Sequence, residues 1–237
     1  MIERKIEYTH EGTVLEGLLC HDGKGSGPRP AVLISHAWAG RSAFEDDKAR
    51  ALAALGYVGF AIDLYGKGVL GSGPEENMAL MSPFLDNRAR LQSRLQAALD
   101  ALRGQPEVAA DRIAAIGYCF GGLCVLDLAR TGADVRGVAS FHGLLGKPGN
   151  TDGVPVKASV LVLHGHDDPM VPVADVVALE AELTATCADW QIHTYGKTLH
   201  AFTNPEANDP GFGAQYNARA DQRSWASLLH FLAERLA

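Results

Sequence analysis

The chain has 237 residues, 47% hydrophobic and 21% charged, enough apolar material for one sizeable core, and it reads as a single domain over residues 1–237. A formal net charge of −7 with no run of Lys or Arg argues against nucleic acid as a partner, because binding a phosphate backbone needs clustered positive charge. No apolar run approaches the roughly 20 residues that span a bilayer, so no membrane partner is expected, and composition leaves the oligomeric state open.

In chain order, residues 2–9 and 13–20 read as two strands around the turn-like pair Glu11-Gly12. After a Gly/Pro-rich loop at 21–30, residues 31–35 form a short apolar run of the buried-strand type. A helix is predicted over 43–55, with Ser42 as N-cap and Gly56 as its stop. Residues 58–62 are the next buried strand, and a glycine-rich loop at 66–74 leads to a long helical stretch at 75–103, broken near Pro83.

Further strands are predicted at 112–116, 135–141, 159–163 and 191–195, with helices at 122–130, 175–183 and 215–236. Short apolar strands alternating with amphipathic helices from residue 31 onward predict an α/β fold. Its central sheet is mostly parallel, with helices on both faces and the N-terminal antiparallel hairpin at one edge. In such sheets functional groups gather at the carboxyl ends of the strands.

The four cysteines are Cys20, Cys119, Cys124 and Cys187, with no C-x-x-C pair. This is the thiol usage of a reducing compartment. The segment Met1-Ile2-Glu3-Arg4-Lys5 runs straight into charged, strand-like sequence without a signal-peptide core, and cytoplasmic residence is expected.

Gly117-Tyr118-Cys119-Phe120-Gly121 joins a predicted strand to a predicted helix. This is the context of a nucleophile elbow, G-x-S-x-G with Cys in place of Ser. Flanking glycines are needed because the turn is too tight for side chains, and the helix that follows directs its N–H groups and positive dipole end at the site. The bland alternative is a small buried hydrophobe, the usual role of a free cysteine and the one assigned to Cys20, Cys124 and Cys187.

In the chain order of this architecture an acid and then a histidine follow the nucleophile. Asp167 and Asp168 compete for the acid. Asp168 is preferred because Pro169 holds its backbone extended, whereas Asp167 suits a solvated turn. His200, one of nine histidines, lies after the last predicted strand and before the closing helix, where the base belongs.

The loop His36-Ala37-Trp38-Ala39-Gly40 is expected to supply the second oxyanion donor, the N–H of Trp38, beside that of Phe120. His36 reads as a polar residue that lines the pocket or bonds to backbone. His142, His164 and His166 also lie near strand ends, but no metal-ligand spacing such as H-E-x-x-H occurs among them.

These residues resemble the dienelactone hydrolase family of the α/β-hydrolase superfamily. The matching pieces are Gly56-Tyr57, Asp63-Leu64-Tyr65-Gly66, Gly117-Tyr118-Cys119-Phe120-Gly121-Gly122, Asp168 with Val171-Pro172, and His200-Ala201-Phe202 with Asn204-Pro205. The resemblance implies a catalytic triad of Cys119, His200 and Asp168, no metal and no organic cofactor. It also implies a small ester or lactone as substrate, met by a pocket containing His36, Ala37, Tyr118, Phe202 and Asn204.

Three departures bear on that substrate. Ala37 stands where the family's type member has a glutamate that contacts the resting thiol. Asn204 stands where family enzymes acting on anionic dienelactone carry one of two carboxylate-binding arginines. The stretch Asn77-Met78-Ala79-Leu80-Met81 lacks the other, with Arg88 and Arg90 further on as possible substitutes. The expected reaction is therefore hydrolysis of a small, activated, neutral ester or lactone. A thioesterase or acyltransferase with the same triad, or a thiol sensor without turnover, are the competing expectations.

Overall fold

A computed structural model of the chain describes residues 1–25 and 27–237. An eight-stranded sheet in the order β1-β2-β4-β3-β5-β6-β7-β8 forms its centre. The hairpin β1 (Ile2–His10) and β2 (Thr13–His21) turns at Glu11 and Gly12, both at positive φ. It occupies one edge and meets β4 (Val58–Ala61) antiparallel. From there β3 (Arg29–Ser35), β5 (Val108–Tyr118), β6 (Gly137–Phe141), β7 (Ser159–Gly165) and β8 (Trp190–Tyr195) are all parallel.

The inner strands β3, β6 and β7 are buried because helices cover both faces, whereas the edge strand β8 is only partly covered. On one face α1 (Ala43–Ala54) and α6 (Ala218–Arg235) pack Leu52, Leu228 and Leu232 against Ile34, Ile116 and Leu161. On the other, α3 (Arg88–Arg103), α4 (Phe120–Arg130) and α5 (Val173–Thr186) pack Leu95, Leu128 and Leu179 against Leu33, Ala115 and Val160. Among the described residues no helix is long and apolar enough to cross a membrane.

Ser42 caps α1 as expected, and Glu45 answers it from the third position to complete a capping box. Several element boundaries differ from the sequence reading, and two helix boundaries differ for a visible reason. The long helical stretch divides at Asn87, not at Pro83, which lies inside α2 (Pro74–Asp86). Asn87 ends one helix and starts the next, its side chain accepting the Arg90 N–H at 3.0 Å. The closing helix begins at Ala218, capped by Asn217. Gln215 belongs instead to a small hairpin of β9 (Asn208–Asp209) and β10 (Ala214–Gln215), too short to show any hydrophobic period.

A buried ion-pair network ties the second helical face together. Asp127 on α4 takes two hydrogen bonds from Arg88, at 2.5 and 2.6 Å. Arg130 meets Asp127 at 3.3 Å and Glu182 of α5 twice at 2.8 Å. The two arginines also donate to the carbonyls of Leu145 and Gly146 at 2.9 to 3.2 Å. Asp127→Ala would leave both guanidinium groups without their shared carboxylate. A loss of roughly 3–5 kcal/mol in unfolding free energy is expected in urea titration. A loss under about 1 kcal/mol, the size of a surface pair, would show that water already screens the network.

Candidate active site

The elbow lies where β5 passes into α4. Cys119 sits at φ 55°, ψ −116° as the residue before the helix, a strained conformation for a side chain other than glycine. The two glycines around it permit that turn. A Cβ on Gly117 would lie 1.9 Å from the Gly121 carbonyl, and one on Gly121 would lie 2.2 Å from that of Ser35. The Cys119 N–H is anchored on the Phe141 carbonyl at 3.0 Å. The side chain therefore stands at the carboxyl edge of the sheet, half-buried, whereas Cys20, Cys124 and Cys187 are buried in the packing.

His200 and Asp168 arrive from the loops after β8 and β7. His200 Nδ1 lies 2.7 Å from Asp168 Oδ2, and both residues are buried. The other carboxylate oxygen of Asp168 accepts the Met170 N–H at 2.9 Å. Asp167 is exposed and does not meet the ring. The small hairpin grips the histidine from both sides: His200 N–H donates to the Gly213 carbonyl at 2.9 Å, and Gln215 N–H donates to the His200 carbonyl at 3.0 Å. Gly213, at φ +92°, sits so close under Pro169 that a Cβ there would come within 2.2 Å of the proline ring. One turn thus braces both the histidine and the turn that carries Asp168.

His200 Nε2 has no oxygen or nitrogen partner and faces the Cys119 thiol. The two groups shift each other's proton affinity. Burial opposes the thiolate, but the His200 cation and the N–H groups of Phe120 and Trp38 more than offset it, leaving Cys119 below the ordinary thiol range. Burial also opposes the imidazolium. The Cys119 and Asp168 charges outweigh it and push His200 up to about 10. Each group thus favours the charged form of the other, and two backbone N–H groups are aimed at the sulfur.

The cavity in front of Cys119 measures about 730 Å³. Its walls are apolar: Trp38 and Phe212, stacked at 6.1 Å, on one side, and Met78, Met81 and Met170 among the rest. The chain has four methionines, so all but Met1 face this space, a soft surface that accommodates ligands of differing shape. Among the described residues no Lys or Arg lines it. Arg88 is committed to Asp127 and Arg90 to Glu11, so neither substitutes for the missing arginines.

Of the residues read as pocket positions, Ala37, Tyr118 and Asn204 line the cavity. His36 and Phe202 do not, and both are fully buried. Phe202 packs between the rings of His142 and Tyr195 at 5.1 and 5.5 Å, because the histidine loop turns at Ala201, φ 54°, and drives the next side chain into the core. His36 bonds to backbone instead, with Nδ1 2.7 Å from the Ala37 carbonyl. His142, which does line the cavity, has Nε2 2.8 Å from the Thr203 hydroxyl. Glu45 is a lining residue that sequence reasoning missed. The capping-box spacing from Ser42 was the only signal for it.

Residues 15–236 match the family described as the dienelactone hydrolase family. An uncharacterized protein of Caenorhabditis elegans is 40% identical over 158 residues, 64% of this chain and 98% of that one. A probable 2-oxo-3-(5-oxofuran-2-ylidene)propanoate lactonase of Bradyrhizobium is 28% identical, covering 87% of this chain and 84% of its own. Among solved structures, a dienelactone hydrolase-like promiscuous phosphotriesterase from metagenomic libraries superposes with a TM-score of 0.95. Its identity is 37%, covering 100% of this chain and 99% of that one.

Proposed function

This chain belongs to the dienelactone hydrolase family, a family of lactone and ester hydrolases, and from that premise we propose that it hydrolyses small, activated, neutral esters or lactones through Cys119, His200 and Asp168. One observation carries the reading: Cys119 and His200 meet at the floor of an apolar cavity, the ring braced by the buried Asp168 carboxylate at 2.7 Å, and each group favours the charged form of the other.

In this mechanism the Cys119 thiolate attacks the carbonyl carbon, and the N–H groups of Phe120 and Trp38 hold the oxyanion. The C–O bond breaks as His200 gives its Nε2 proton to the leaving oxygen. In a lactone that oxygen stays tethered as the new alcohol. His200, now neutral, takes a proton from water as the water attacks the thioester. The carboxylic acid forms and the thiolate returns. Asp168 keeps the ring oriented throughout.

Substrate charge is the discriminating property. A carboxylate buried without a cation costs several kcal/mol, and the cavity offers it no Lys or Arg. A neutral ester should therefore show a higher kcat/KM than a dienelactone carboxylate of matched size and leaving group. Asn204→Arg should move the ratio toward the anion. A strong native preference for the anion would overturn the substrate assignment.

A neutral aryl phosphotriester belongs in the same substrate panel. The neighbour at 37% identity is a promiscuous phosphotriesterase, and a neutral triester meets the same charge requirement. With a p-nitrophenyl carboxylic ester, an initial burst of p-nitrophenol followed by steady turnover supports an enzyme working through a thioester. A single stoichiometric release supports a thiol sensor instead.

A further inference from the structure

We propose that His36 is a positioning residue: by donating from Nδ1 to the Ala37 carbonyl, it sets the plane of the Ala37–Trp38 peptide and so aims the Trp38 N–H at the oxyanion site. The proposal rests on the reading of that N–H as an oxyanion donor.

His36 follows β3 and is fully buried. The Leu64 N–H lies 3.2 Å from Nε2. An N–H only donates, so Nε2 must be the accepting nitrogen and carry no proton. Burial holds the ring below the ordinary imidazole range, so it is neutral and its one proton sits on Nδ1. That nitrogen lies 2.7 Å from the Ala37 oxygen, and the bond is thus a donation from His36 to the carbonyl. Leu64, next to the strand β4, thereby selects the tautomer that the oxyanion loop uses.

The Ala37 carbonyl and the Trp38 N–H are the two ends of one planar trans peptide. They point in opposite directions, so holding the oxygen on His36 turns the N–H toward Cys119. The Gly40 N–H reaches the same oxygen at 3.2 Å. Donation to an amide oxygen also polarises the amide and strengthens its N–H as a donor.

The peptides on either side are held as well. The Ala37 N–H donates to the buried Glu45 carboxylate at 3.2 Å, and the Trp38 carbonyl accepts from Tyr65 Oη at 2.9 Å. The Tyr65 ring meets His36 edge-on at 4.7 Å and stacks on Phe120, bearer of the other donor, at 6.2 Å. His36 is the side chain of this cradle that acts on the peptide whose N–H matters, at a shorter distance than the Gly40 N–H.

Two isosteric substitutions separate the two nitrogens. In H36N the amide nitrogen can occupy the place of Nδ1 and still serve Ala37. In H36Q the amide reaches the place of Nε2 and can accept from Leu64, but leaves the Ala37 carbonyl without its side-chain donor. H36N should keep most of kcat. H36Q should lose about 10²-fold in kcat, the scale of one oxyanion donor, with KM little changed. Its affinity for an aldehyde inhibitor, which forms a tetrahedral oxyanion adduct on the thiol, should fall by a similar factor.

Equal kcat and equal aldehyde affinity in the two variants would overturn the proposal. A measurement on the unaltered protein is independent of how the variants fold: the long-range 1H–15N spectrum should show His36 as the neutral Nδ1–H tautomer, and an Nε2–H or doubly protonated ring would overturn it. Failure of the underlying reading is distinguishable, because the unaltered enzyme would then form no aldehyde adduct on Cys119.

Discussion

Alanine at Cys119 is expected to lower kcat on a p-nitrophenyl ester by at least about 10⁴-fold, to the level that binding and the N–H groups alone support. Among the described residues His200 Nε2 has no oxygen or nitrogen partner that could take over from the sulfur. Iodoacetamide should inactivate the native protein and label Cys119 first, because it is the half-buried thiol of low proton affinity. Burial pushes the thiols of Cys20, Cys124 and Cys187 up, and alanine at any of them should leave kcat largely intact. Steady turnover in Cys119→Ala near the native rate would sink the mechanism.

Asp168→Asn is expected to cost up to about 10⁴-fold in kcat. The asparagine can keep its oxygen on the Met170 N–H, which then presents an amide N–H to His200 Nδ1. The ring must accept there and carry its proton on Nε2, the wrong tautomer for a base. Loss of the carboxylate also removes support for the imidazolium, so less positive charge faces the thiol. The thiol's proton affinity should rise, and the acid limb of the iodoacetamide pH profile should move to higher pH. Asp167→Asn should be mild, because that side chain is exposed and does not meet the ring. The opposite result, an inert Asp168→Asn and a damaging Asp167→Asn, would transfer the acid to the neighbouring residue.

Much of this arrangement was legible in the sequence, for physical reasons that differ from residue to residue. The elbow was legible because Gly117 and Gly121 touch backbone where any side chain would collide, a local demand that leaves a local signature. The choice between Asp167 and Asp168 turned on Pro169, a restriction also confined to neighbours in the chain. The alternation of apolar strands and helices was enough for a mostly parallel sheet covered on both faces with the hairpin at one edge, while the order of its strands came only with the fold.

What could not be read was long-range. Whether His36 faces a cavity or a backbone depends on where Leu64 and Ala37 fall in space. Whether Phe202 enters the pocket depends on a positive φ at Ala201 that nothing in the local sequence announces. Arg88 looked available for a substrate carboxylate until Asp127, on another helix, held it in a two-point ion pair. Glu45 was visible as a helix cap, but its reach to the Ala37 N–H belongs to the folded loop.

The small hairpin that ends the histidine loop has a consequence for how such a protein can change over generations. Its tip residue Phe212 forms one wall of the entrance, while Gly213, the very next residue, bonds His200 and packs under Pro169. The part that greets a new ligand and the part that holds the base are neighbours on one short turn. Insertions here to admit a different molecule would disturb the reaction they are meant to serve. The part of the wall on the helix bearing Met78 and Met81 has no such tie to the base among the described residues. Adaptation to new ligands has a free route through the methionines and an encumbered one through the hairpin, and descendants of this chain should diverge at the first and stay alike at the second.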